Sequence, residues 1–101
     1  MNQQAMLKQL QKMQAEMAHA QAELAELEVT GQAGNGIVQV TCTAAGEWRG
    51  VKIDPKLIDP DDPDMLQDLV LAALQDAKAT AEQAQQERLG PLTAGISLPG
   101  F

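Results

Sequence analysis

From Leu27 to Asp54 the chain reads LEVTGQAGNGIVQVTCTAAGEWRGVKID, the only stretch with strand character. Long helix-forming segments run into it and out of it. That arrangement leaves few architectures open: one small sheet, with helices laid on it or projecting from it. Ile37 to Ala44 alternates, with Val38, Val40, Cys42 and Ala44 on one face and Gln39, Thr41 and Thr43 on the other, as in a half-buried strand. Glu28-Val29-Thr30 begins the region. Gly31-Gln32-Ala33-Gly34-Asn35-Gly36 reads as a turn, in which Asn35-Gly36 suits positive φ. Ala45-Gly46-Glu47 reads as a second turn. Trp48 to Asp54 is the return strand, with Val51 and Ile53 on one face and Lys52 on the other. The expectation is a three-stranded antiparallel sheet over about residues 27–54.

The segment before it, residues 5–26, carries Met6, Leu10, Met13, Met17, Ala20, Leu24 and Leu27 at alternating spacings of 4 and 3, an unbroken heptad seam. Good helix formers fill the rest, with no Pro or Gly, which predicts a helix about 33 Å long. After the sheet, Asp59-Pro60-Asp61-Asp62-Pro63-Asp64 lacks the spacing of a calcium loop. It reads instead as an N-terminal cap, with Asp62 capping and Pro63 in the first helical position. The second helix is predicted over 63–89, with an apolar stripe at Leu66, Val70, Ala73, Ala77, Ala81 and Ala84, widened by Leu69 and Leu74. Its first half should lie on the sheet. Its alanine half, from Ala77 on, should project beside the first helix, and Leu89-Gly90-Pro91 should stop it. The remainder, 90–101, reads as an irregular tail in which Ile96, Leu98 and Phe101 could dock.

A chain of 101 residues makes one α+β domain. With one Trp, one Phe and no Tyr it is short of large core side chains, and both sheet edges lack a blocker, so a homodimer is expected. Trp48 reads as a packing residue near a turn or a dimer contact. The lone Cys42 fits a reducing cytoplasm and a strand interior. One Cys, one His and scattered carboxylates supply no nucleophile–base pair and no metal set, so no catalytic residue, metal or cofactor is called. No apolar run reaches the ~20 residues of a membrane span, and no signal core opens the chain.

Charge gives the sharpest constraint on partners. The net charge of −7 argues against a generic nucleic-acid binder. Its distribution is uneven: residues 1–15 carry Lys8 and Lys12 and no acid, whereas residues 16–28 carry Glu16, Glu23, Glu26 and Glu28 and no Lys or Arg. Lys8 and Lys12 are four apart and share a helix face.

Five groups of residues together resemble the YbaB/EbfC family of bacterial nucleoid-associated proteins. They are Leu27-Glu28-Val29-Thr30-Gly31, Gly34-x-Gly36-Ile37-Val38-x-Val40, Val51-x-Ile53-Asp54-Pro55, Met65-Leu66-x-Asp68-Leu69-Val70-x-Ala72-Ala73 and Gly95-x-x-Leu98-Pro99-Gly100-Phe101. The resemblance implies an α-β-β-β-α fold and a cytoplasmic, nucleoid-bound homodimer. Its helices would project as tweezers around double-stranded DNA, with no cofactor, no small-molecule substrate and no catalysis. The candidate phosphate contacts are then Lys8, Lys12, Arg49, Lys52, Lys78 and Arg88, and the resemblance, which implies an interface built by the sheets and second helices, makes Val38, Val40, Leu66, Leu69, Val70 and Ala73 the candidate dimer contacts. A dimer carries twice −7, or −14, so binding must rely on local positive regions. The runner-up is an acidic protein–protein adaptor, suggested by the net charge and the Met-rich seam.

Overall fold

A computed structural model describes residues 2–93. It contains helix α1 (Gln3–Glu26), strands β1 (Glu28–Ala33), β2 (Val38–Thr43) and β3 (Trp48–Ile53), a 3-10 turn at Pro55–Leu57 and helix α2 (Pro63–Thr93). The strands form one antiparallel sheet in the order β1-β2-β3. This is the expected α-β-β-β-α order, drawn out to 71 × 26 × 17 Å.

Local signals account for the helix starts. The Asn2 side chain accepts from the Gln4 amide at 3.0 Å and caps α1. Asp62 accepts from the Met65 amide at 3.3 Å, with Pro63 opening α2, as the sequence predicts. The left-handed residues between β1 and β2 are Gly34, Asn35 and Gly36, with φ of 60°, 59° and 92°.

Two boundaries differ from expectation. Gly31, Gln32 and Ala33 belong to β1 rather than to the turn, and Gly31 pairs with Val40. Gly31 is required for room: it is buried, and a Cβ there would meet the backbone of α2, 2.6 Å from Ala77 Cα. Helix α2 also runs through Gly90 and Pro91 to Thr93. A proline in the last turn costs one donor and crowds one carbonyl, which shortens the ladder without stopping the chain from turning. Of the irregular tail expected over 90–101, residues 90–93 are helical instead, and 94–101 lie outside the described residues.

Helix α2 crosses β1 and β2. Val38, Val40 and Cys42 pack against Ala73, Ala77 and Ala81 in one core, flanked by Val29, Ile53, Leu69, Val70 and Leu74. Small residues face each other here because close backbone approach replaces side-chain bulk. Ala77 and Ala81 therefore belong to the sheet core and not to a free second half of the helix. The helix leaves the sheet near Gln85, whose amide donates to the Ala44 carbonyl, and then runs antiparallel beside α1. There it covers Ala20 and Leu24, both buried. The heptad seam is thus only half used: Met6 and Leu10 remain 48% and 53% exposed.

The two sheet edges have different fates. The Gln32 amide, directed off the outer edge of β1, donates to the Asp76 carboxylate of α2 at 2.9 Å. Among the described residues strand β3 has no such cover: Trp48 to Lys52 are all exposed and Ile53 is half-buried. A bulge at Thr41/Cys42 leaves Arg49 without a cross-strand partner, because Thr41 pairs with Gly50 and Cys42 with Trp48. The extra residue shifts the alternation and brings Trp48 to the face that α2 shares. Thr43, expected on the polar face, is buried; its hydroxyl accepts the Glu47 amide at 3.1 Å and folds the turn over it.

Candidate nucleic-acid interface

Lys8 and Lys12 stand on the part of α1 that α2 does not reach, where every residue from 2 to 12 is exposed. Low contact with the body follows from chain lengths: α2 runs antiparallel to α1 and ends at Thr93, five residues beyond the Arg88–Glu23 contact. The arm carries no acidic side chain. Among the described residues no ion pair forms at Lys8, Lys12, Lys52 or Lys78.

The other four candidates are placed apart from this tip and from each other. Lys52 pairs across from Gln39, on the sheet face turned away from α2. Arg49 sits at the bulge, with its guanidinium 3.6 Å from Glu47, and both side chains are open to solvent. Lys78 lines a groove with Cys42, Trp48, Ala81 and Gln85, between α2 and β3. Arg88 turns to α1, where its Nε donates to Glu23 Oε2 at 2.7 Å. Lys8 and Lys12 thus share one helix tip, while the other four cations lie on the strands and on α2.

Sequence reasoning missed the partner of Arg88. Glu23 lies 65 residues away along the chain, and no local pattern links them. The other carboxylate oxygen, Oε1, meets His19 Nε2 at 2.8 Å, one helical turn back. The hydrogen bond from Arg88 holds the Glu23 carboxyl below its ordinary range, against the smaller opposing effect of desolvation. Glu23 in turn pushes the Arg88 guanidinium up. At the core, burial pushes the Cys42 thiol up, and its Sγ lies 4.0 Å from the Ala77 carbonyl oxygen.

Of the called dimer contacts, Val38, Val40 and Ala73 have no exposed surface in the single chain, because the chain's own core uses them. Leu66, Leu69 and Val70 are half-buried. The apolar surface left open beside them is Trp48 at 54%, Val51 at 59% and Leu71 at 54%. Register puts Val51 and Trp48 on the α2 side of the sheet, opposite Val40 and Cys42. Leu71 and Leu74 lie on the same stripe of α2 as Lys78, at helical spacing. Among the described residues no group of three or more His, Cys, Asp or Glu could hold a metal ion. No helix in the described residues is long and apolar enough to cross a membrane.

Comparison with known proteins gives the family and the fold. Residues 1–96 match the YbaB/EbfC DNA-binding family. A nucleoid-associated protein of Streptomyces avermitilis is 51% identical over 103 residues, covering 99% of this chain and 91% of the relative. One from Streptomyces griseus is 54% identical over 104 residues, with the same coverage. The crystal structure of an uncharacterized protein from Helicobacter pylori superposes with a TM-score of 0.76 at 23% identity, covering 94% of this chain and 99% of the other, and shares the fold.

Proposed function

We propose a function for this chain, which belongs to the YbaB/EbfC DNA-binding family and not to a family of enzymes: it binds double-stranded DNA as a nucleoid-associated homodimer, through phosphate and shape contacts. The observation that carries this reading is the projecting half of α1. It is free of acids, uncovered by α2, and carries two unpaired lysines on one face. A helix tip of that kind can lie along a duplex backbone without bringing the chain's anions with it.

The dimer closes over the open side of β3. One sheet edge is already occupied by α2 through Asp76, and the other presents Trp48 and Val51 beside Leu71 and Leu74. Half-buried Leu66, Leu69 and Val70 complete that surface at its α2 end. Exposed apolar side chains next to an unpaired edge are stabilised by a second copy of the same surface, with two-fold symmetry. Closure over this groove takes Lys78 out of the phosphate contacts. Lys8 and Lys12 then lead, supported by Arg49, Lys52 and Arg88, with about 4–8 phosphate contacts per dimer.

A salt titration of duplex retardation tests the reading. Log affinity should fall steeply and linearly with log salt. Absence of a shift at low salt, together with stable co-purifying proteins, would support the acidic adaptor instead.

A further inference from the structure

Arg88 is the most constrained of the candidate cations. Its guanidinium donates to Glu23 at 2.7 Å, and the more distant Glu16 also attracts it. The pair sits at the α1–α2 junction, at a cleft lined by Leu24, Leu27, Ala84 and Glu87 as well as by the two partners. The two side chains are 38% and 48% exposed, so a third group can reach them from solvent. The pair contributes little to holding the helices together, since an exposed ion pair is weak and buried Ala20 and Leu24 already pack that junction. Its main effect falls on Arg88 itself. A carboxylate and a phosphate diester are alternative acceptors for the same guanidinium fork: Glu23 holds Nε, one of the two donors of a side-on bidentate contact, and so denies a phosphate that geometry.

We infer that Glu23 is an internal competitor of DNA phosphate at Arg88, holding the guanidinium on α1 until a duplex backbone displaces it. This inference rests on the DNA-binding reading above. It makes Glu23 a determinant of affinity although, as an anion, it touches no phosphate. His19, on the other carboxylate oxygen at 2.8 Å, gives the displaced carboxylate a partner to remain with.

The test is Glu23→Gln, which keeps the shape and the helix propensity and removes the charge. Binding of a plain duplex should tighten on the order of tenfold at low salt. The salt slope should change little, because Arg88 reaches the same phosphate in both complexes once Glu23 is displaced. In an Arg88→Ala background the same substitution should leave binding unchanged. Unchanged or weakened binding by Glu23→Gln overturns the inference and marks the pair as a mere clasp. A gain that persists without Arg88 also overturns it, since it would report only the loss of a negative charge. If the wild-type protein retards no duplex at any salt, the DNA-binding reading fails and takes this inference with it. Wild-type retardation without a Glu23→Gln gain sinks this inference alone. Circular dichroism of each variant confirms that the helices are kept.

Discussion

Gly31 and Ala77 meet backbone to backbone: a Cβ on Gly31 would lie 2.6 Å from Ala77 Cα and closer still to the Ala77 amide. This contact sets the height of α2 over β1 and β2. It lets a helix with an alanine stripe bury Val38, Val40 and Cys42 completely or nearly so.

Gly31→Ala should therefore destabilise the fold by about 1–3 kcal/mol, the usual cost of overpacking a tight interior. The added methyl meets backbone, which cannot rotate away. Gly50→Ala is the control, because nothing lies within 4 Å of a Cβ at Gly50. Urea midpoints of the two variants should separate clearly, and equal midpoints would refute the close approach of α2.

Lys8→Ala combined with Lys12→Ala should weaken duplex binding and flatten the salt slope by about 3–4 per dimer, close to 0.9 for each of four lost contacts. Both side chains are exposed and without ion-pair partners among the described residues, so thermal stability should hold. A gel-shift series over salt concentration measures the slope directly.

Val51→Glu, or Trp48→Glu, should convert dimers to monomers while keeping the helical content. The two side chains are 59% and 54% exposed in the single chain, so a charge there disturbs no core. Sedimentation equilibrium reads the mass, and an unaltered dimer would place the interface elsewhere.

Acid should remove the small contribution of the Arg88–Glu23 pair to stability, in a defined direction. Arg88 lowers the Glu23 carboxyl below its ordinary value of 4.5. The folded state thus binds fewer protons there than the unfolded state. The contribution is whole above that value and is lost as pH falls through the lowered one. Glu23→Gln should remove this part of the pH dependence below about pH 4.5, as followed by thermal unfolding across the acid range. The same pH dependence in wild type and variant would deny the pair any part in it.

Cys42 should resist alkylation in the native protein. It is 1% exposed and burial pushes its thiol up, so few thiolates are present and none is accessible. Labelling at neutral pH should track global unfolding in denaturant. Rapid native labelling would mean that α2 lifts off the sheet.

Much of the fold was legible because its signals are local. The alternation of Ile37 to Ala44 marks β2, Asn35-Gly36 marks the left-handed turn, and Asp62-Pro63 marks the start of α2. Gly31 misled for an instructive reason. A glycine beside other glycines reads as backbone freedom, whereas this one supplies empty space beneath a helix, and space has no sequence period. Gly90-Pro91 misled because the rule for stopping a helix weighs one lost hydrogen bond, and near a helix end that cost is tolerable. The lysine-bearing tip was visible as an acid-free stretch. The bulge that turns Trp48 towards α2 was not, since one extra residue leaves no mark on a strand this short.

By itself the sequence determined which segments are helix and strand, where the turns lie, and that positive charge gathers at one end of α1. Those properties depend on neighbours within a few residues, where steric preference and spacing act directly. Only the tertiary structure decided which cations stay free. Arg88 is drawn to Glu23, 65 residues away, and Asp76 is spent on the edge of β1. Those partners are selected by the antiparallel packing of α2 on α1 and on the sheet, which brings opposite charges and unpaired donors together across distances that chain order does not encode.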